Sequence, residues 1–105
     1  MSLANIFESI PDTIDKEVFE LILQSGDLKI ERIISKGHSS PGSGWHQQQL
    51  SEWVIVLRGS AVLGFEDKAE VHLDAGSYYN ISANVRHRVV STSDASETVW
   101  LAVHY

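Results

Sequence analysis

The chain has 105 residues, of which 43% are hydrophobic and 21% charged, and this composition is typical of one folded domain and argues against disorder. Fourteen acidic against eight basic side chains give a net charge of -6, which disfavours nucleic acid as a partner. Because the sequence has no cysteine, it excludes disulfides and cysteine zinc sites, so any metal ligand must be a histidine, a carboxylate or an amide.

Short apolar runs separated by turn residues follow one another from residue 18 onward, and this pattern predicts strands rather than helices. The segment before residue 18, which contains Pro11 and Asp12, is predicted to be an extended arm with one helical turn. The predicted strands span residues 18–23, 28–34, 53–57, 61–65, 71–73, 78–81, 87–91 and 98–104. Short strands with close turns and no long amphipathic helix indicate a sandwich or a closed barrel, since closure removes exposed strand edges.

The longest gap between predicted strands, residues 36–51, is rich in Ser, Gly and Gln, and such long loops are usually functional or mobile. His46 and Gln48 lie two residues apart, so on a strand they would point to the same face. Glu52 directly precedes an apolar run, where an inward carboxylate is costly unless it is paired or bound to metal. These residues can meet His87 only if the strands curl into a small barrel.

The spacing of these residues resembles that of the cupin family. The first cupin motif is Gly, five residues, His, one residue, His, three or four residues, Glu, six residues and Gly. Its positions from the first His onward are occupied here by His46, Gln48, Glu52 and Gly59, so Gln stands in the second His position.

The second cupin motif is Gly, five residues, Pro, one residue, Gly, two residues, His, three residues and Asn. The corresponding positions are Gly76, Ser82, Asn84, His87 and Ser91. Asn84 suits the position of a glycine because Asn is among the few residues that tolerate a left-handed backbone.

The resemblance covers about residues 28–105 and implies an all-β fold, the cupin-type double-stranded β-helix or jelly-roll barrel, with a short N-terminal arm. It also implies an interior site for one divalent metal (Fe, Mn, Ni or Zn), with His46, Gln48, Glu52 and His87 as the ligands by position. A Gln amide oxygen binds such ions less strongly than imidazole, but two His and one carboxylate are enough for a non-haem iron type of site. Two alternatives stay open: His38 could replace Gln48, or Gln47 could face inward instead.

Cupins include dioxygenases, isomerases, epimerases, lyases and decarboxylases, and the fold does not choose among them. We therefore expect a small metal-dependent cupin that binds or converts a small organic molecule, with the metal as a Lewis acid. Glu52 could also act catalytically as a general base, since an enclosed carboxylate can have its pKa shifted toward neutrality. The alternative is a non-catalytic ligand-binding or sensing barrel with a degenerate site, which Gln48 and Ser91 favour. Nothing specific in the sequence favours a sugar-phosphate isomerase.

We expect one domain over residues 1–105. No apolar run approaches the roughly 20 residues that span a bilayer, and the N-terminus lacks a secretory signal, so we expect a cytoplasmic protein with no membrane contact. In the strand predicted at residues 98–104, both alternating sets contain apolar residues, so both faces should meet something apolar. Small cupins usually associate through their sheets, and the resemblance therefore implies a homodimer.

Overall fold

The computed structural model describes residues 3–11, 13–40 and 44–105. In these residues the elements are β1 (Val18–Ser25), β2 (Leu28–Ser35), β3 (Glu52–Arg58), β4 (Ser60–Phe65), β5 (Val71–Asp74), β6 (Tyr78–Ile81), β7 (His87–Thr92) and β8 (Thr98–His104). The eight predicted strands are all confirmed, with ends that differ by at most two residues. Among the described residues, no helix is long and apolar enough to cross a membrane.

The strands form two antiparallel sheets, one of five strands in the order β1-β2-β8-β3-β6 and one of three in the order β5-β4-β7. The hydrophobic core lies between them, as expected for packed antiparallel sheets with inward apolar faces. Its buried residues are Ile33, Val54, Val56, Ala61, Leu63, Phe65, Leu73, Ile81, Trp100 and Ala102. The all-β jelly-roll prediction is thereby confirmed.

Strand alternation places polar residues at one end of this core. Glu52 lies two and four residues before the buried Val54 and Val56, so its side chain takes the same inward face. His104 lies two residues after the buried Ala102, and it pairs directly with Glu52 across the β3–β8 ladder. The inner face therefore changes from apolar to ionisable at one end of the barrel.

Two residues of the cupin-like motifs have backbone conformations that explain their identity. Gly59 has φ +90°, and a Cβ atom there would lie 2.8 Å from the Cα of Thr98, so only glycine fits. Asn84 has φ +67°, which confirms the left-handed backbone expected at that position.

The N-terminal arm lies against the outer side of the five-stranded sheet. Residues 6–9 form a turn in which Glu8 N donates a hydrogen bond to Asn5 O at 3.0 Å. Arg32 is only 7% exposed. Its guanidinium donates to Ile6 O at 3.0 Å and Glu8 O at 2.6 Å, and it forms an ion pair with Glu20. One arginine therefore fastens the arm to β1 and β2.

Candidate functional site

A cavity of about 330 Å³ opens into the barrel between the two sheets. Its apolar lining residues are Phe19, Ile33, Val54, Leu63, Ile81, Val89 and Trp100. Its polar lining residues are Glu17, Ser40, His46, Gln47, Gln48, Glu52 and His87, which include the predicted site residues. An apolar cleft with a few converging polar groups is typical of a site for a small ligand.

Glu52 and His87 face each other inside this cavity. The His87 Nε2 atom lies 3.7 Å from Glu52 Oε1, and the two side chains are 8% and 14% exposed. On the other side of the imidazole ring, Nδ1 donates to the backbone oxygen of Val85 at 3.0 Å. This bond fixes the ring and leaves Nε2 directed at the carboxylate, an arrangement common to histidines that bind metal.

Each member of this pair changes the pKa of the other. Burial alone would raise the pKa of Glu52, but the close contact with His87, the electrostatic interactions with His104 and His87 and the hydrogen bond from Gln48 outweigh burial and lower it. Burial alone would lower the pKa of His87, but the close contact with the Glu52 carboxylate and the hydrogen bond to the Val85 carbonyl raise it. The upward shift considered for the pKa of Glu52 is therefore not found, because its enclosure brings imidazole partners as well as burial.

Gln48 takes part in the site through its amide. Its Nε2 donates to Glu52 Oε1 at 2.9 Å, so it holds the carboxylate in place. The neighbouring Gln47 lines the same cavity, but its Oε1 accepts a hydrogen bond from Arg86 at 3.2 Å. His38 contacts the backbone of Lys36 and Asp15 and is not a lining residue, so the structure gives no support to its replacing Gln48.

His46 is held near His87 by its backbone but not by its side chain. The two residues exchange backbone hydrogen bonds of 2.8 and 3.0 Å, and their ring centroids are 6.2 Å apart. His46 is nevertheless exposed, whereas Gln48 is half-buried. The premise that they lie on a strand is wrong, because residues 44–51 form only an isolated bridge at His46, although both residues line the cavity.

Two further groups lie near the site, and the sequence did not specify their partners. His104 Nε2 lies 2.9 Å from Glu31 Oε1 and 4.0 Å from Glu52 Oε2, so imidazoles and carboxylates alternate along the inner face. At the opposite side of the cavity, the Ser35 hydroxyl donates to Glu17 Oε2 at 2.6 Å. Both groups depend on pairings between strands, and the only local signal was strand alternation at His104.

The donor groups fit a divalent ion in kind, since imidazole and carboxylate are common ligands of Fe, Mn, Ni and Zn. The orientation of His87 toward Glu52 fits as well. Within residues 3–11, 13–40 and 44–105, however, no group of three or more His, Asp and Glu side chains is arranged to hold a metal ion. The complete ligand set of His46, Gln48, Glu52 and His87 therefore stays a prediction.

Comparisons with known proteins agree with this architecture. A family model described as the cupin domain matches residues 31–104. A solved structure from Ralstonia eutropha JMP134, a mannose-6-phosphate isomerase by provisional assignment, is 39% identical, with a TM-score of 0.95 over 99% of this chain and 97% of that one. A cupin superfamily protein from Desulfitobacterium hafniense DCB-2 is 17% identical, with a TM-score of 0.73 over 90% and 82% of the two chains, and shows the fold alone. No curated protein matches.

Proposed function

Because this chain belongs to the cupin family, we propose that it binds a small organic molecule in its barrel and holds one divalent ion beside that molecule. The observation that carries the proposal is the convergence of Glu52 and His87 inside a mostly apolar cavity. A buried carboxylate and a buried imidazole are costly to maintain unless they serve each other or a ligand. The bond from His87 Nδ1 to Val85 favours the ligand role.

Under this proposal Glu52 and His87 provide the fixed ligands, and His46 completes the set from the adjacent segment. Gln48 serves as a weaker amide ligand or holds the Glu52 carboxylate, as it does here. A divalent ion bound there would polarise a carbonyl or hydroxyl oxygen of the ligand. The apolar walls keep water away from that oxygen, which strengthens each polar contact inside. The lowered pKa of Glu52 makes it a weak base in the ion-free protein, so we assign it mainly a binding role.

Elemental analysis tests this proposal directly. Protein purified without chelator or affinity tag should contain close to one divalent ion per chain, and His87→Ala should lose it. His72→Ala is the matched control, because His72 is exposed on β5 and does not line the cavity. If neither the unmodified protein nor the control contains metal, and neither takes up Mn²⁺, Fe²⁺, Ni²⁺ or Zn²⁺ in calorimetry, the metal proposal is wrong.

The second candidate is a metal-free barrel that only binds a ligand, and one observation favours it. Glu52 is already satisfied by Gln48 and His87, while His46 is exposed, so the polar end of the cavity is stable without an ion. Ligand binding that persists unchanged in the presence of a chelator would support this candidate over the first.

We also propose that two copies of the chain associate through β1. This strand lies at the free edge of the five-stranded sheet, and four of its apolar side chains are about half exposed or more: Phe19 at 58%, Leu21 at 56%, Ile22 at 50% and Leu23 at 49%. An exposed apolar edge strand is an aggregation hazard unless another chain covers it. Light scattering should therefore give a dimer mass, and Leu23→Glu should give a monomer, while Thr13→Glu in the exposed arm should not. A monomeric parent protein would contradict the proposal.

A further inference from the structure

The lysine and arginine side chains of this chain all lie outside the lining of the cavity. Its eight basic residues are Lys16, Lys29, Arg32, Lys36, Arg58, Lys68, Arg86 and Arg88, all of them among the described residues, and none is a lining residue. Several of them have described partners. Arg32 binds the arm and Lys29 pairs with Glu31, while Arg86 pairs with Glu66 and donates to the lining residue Gln47.

Two basic residues also contact aromatic rings that lie outside the cavity lining. Arg58 lies 4.7 Å from the ring centroid of Phe7, and Arg88 lies 5.0 Å from that of Trp45. Neither aromatic residue lines the cavity. Among the described residues, therefore, no lysine or arginine side chain lines the cavity, and its basic groups are the imidazoles of His46 and His87.

The cavity also carries two carboxylates. Glu52 lies at one side and Glu17 at another, and Glu17 is held in position by the hydroxyl of Ser35, which in turn accepts a hydrogen bond from the indole of Trp100 at 3.3 Å. Because Ser35 is fully buried and Trp100 is 3% exposed, this chain of hydrogen bonds anchors Glu17 to the core. A dianion entering the cavity would lose its hydration and face two carboxylates, of which Glu52 is paired with the imidazole of His87.

A bound divalent ion would not reverse this conclusion. Its two positive charges would be offset by the carboxylates of Glu52 and Glu17, so the loaded cavity would be close to electrically neutral. A phosphate ester would then bring two negative charges, with no lysine or arginine side chain in the lining to compensate them. A ligand with an uncharged oxygen donor would add no negative charge.

From these charges we infer that the ligand of this cavity is a small molecule without negative charge, an uncharged one with hydroxyl or carbonyl groups on an apolar frame. The inference rests on the proposed small-molecule site and narrows its substrate class. A volume of about 330 Å³ is near the lower end of ligand pockets, which span roughly 300–1,000 Å³. The charges of this cavity therefore disfavour a sugar phosphate as its ligand, although a similar protein is provisionally assigned as a mannose-6-phosphate isomerase.

A fragment screen of the full chain by amide NMR tests the inference. The library should contain matched pairs, such as an alcohol with its phosphate ester, an amide with its carboxylate, and mannose with mannose 6-phosphate. Each pair is measured with chelator and with Zn²⁺. We expect the uncharged members to shift the amides of Val54, Ile81 and Trp100 more strongly than their anionic counterparts.

The outcomes separate the inference from the function on which it rests. If anionic members bind in the cavity at least as tightly as the uncharged ones, the inference is wrong and the small-molecule site stands. If no fragment shifts the cavity amides, both are wrong.

Charge reversal at Glu17 provides a second test, with inorganic phosphate as the probe. Glu17→Lys should raise phosphate affinity at the cavity by at least roughly tenfold, as expected when a close like charge becomes an opposite one. Glu70→Lys changes the net charge equally but lies on an exposed residue outside the cavity, and it should have no such effect. An equal response of the two variants would overturn the role assigned to Glu17.

Discussion

The two halves of the candidate metal site are built differently. Glu52 and His87 begin strands β3 and β7, and their side chains are nearly buried, whereas His46 and Gln48 lie in a segment without regular strand pairing, where His46 is exposed. The ladder hydrogen bonds fix the first two donors before any ligand arrives. A barrel can therefore preorganise part of a ligand set and leave the other ligands to a loop, which loses conformational entropy when it becomes ordered on binding.

Removing a strand-held donor should have the largest effect. Glu52→Gln keeps the shape of the side chain but removes the charge that the ion and His87 both face. We expect metal affinity to fall by more than about 100-fold, because loss of a direct ligand should exceed the 10–100-fold typical of its supporting groups. Calorimetry with Zn²⁺ or Mn²⁺ measures it, with Glu70→Gln as the control. A loss of less than tenfold would show that Glu52 is not a ligand.

Removing the loop-held histidine should cost less. In His46→Ala we expect a loss of about tenfold in metal affinity, since part of its binding energy is spent on ordering an exposed side chain. The free energy of unfolding should change by no more than about 0.5 kcal/mol, as for other exposed positions. Urea titrations and calorimetry on the same sample measure both quantities. If His46→Ala and Glu52→Gln are equally damaging, the contrast between the two halves is wrong.

The position of Gln48 allows a milder test. Gln48→His restores the imidazole of the cupin motif and should strengthen metal binding by several-fold, up to about tenfold, because imidazole binds such ions better than an amide. Gln48→Ala should weaken binding by roughly threefold or less, through loss of its hydrogen bond to Glu52, a bond of about 1 kcal/mol. Weaker binding in Gln48→His than in Gln48→Ala would mean that this position does not face the ion.

The smallest expected effect is on how the stability of the metal-free protein, measured with chelator present, depends on pH. The raised pKa of His87 contributes to the free energy of unfolding, and this contribution is complete below the ordinary pKa of 6.5 and is lost as pH rises through the raised pKa. The lowered pKa of Glu52 also contributes to the free energy of unfolding, and this contribution is complete above 4.5 and is lost as pH falls through the lowered pKa. Both contributions are complete between these values.

The stability advantage of the parent protein over His87→Gln should therefore shrink from about pH 5.5 to about pH 8.5. Denaturant unfolding at the two pH values measures this advantage, and His72→Gln should show no such trend. An advantage of the parent protein that grows with pH would contradict the assigned ion pair.

The regular part of the molecule was predictable from sequence, because strand alternation and turn residues are local signals. The strands β6 and β8 were predicted at their observed bounds, and Asn84 was placed correctly in the left-handed region. Glu52 was predicted to face inward because it precedes an apolar run. These features depend on neighbouring residues only.

The features that were missed depend on contacts between distant segments. Glu31 meets His104 across a separation of 73 residues, and nothing in the local pattern of either residue specifies that pair. The orientation of His46 and Gln48 was predicted from strand alternation, but their segment makes only one β-bridge and is not a strand. The sign of the pKa shift at Glu52 was missed for the same reason, because its imidazole neighbours come from β7 and β8.

The hydrogen bonds from Arg32 to the N-terminal arm determine which substitutions the arm can tolerate. Arg32 holds the arm through the main-chain oxygens of Ile6 and Glu8, which every amino acid possesses. The arm can therefore change much of its sequence without losing its attachment, whereas replacement of the single guanidinium should release it, even by lysine. Amide hydrogen exchange of residues 6–9 would register that release as faster labelling.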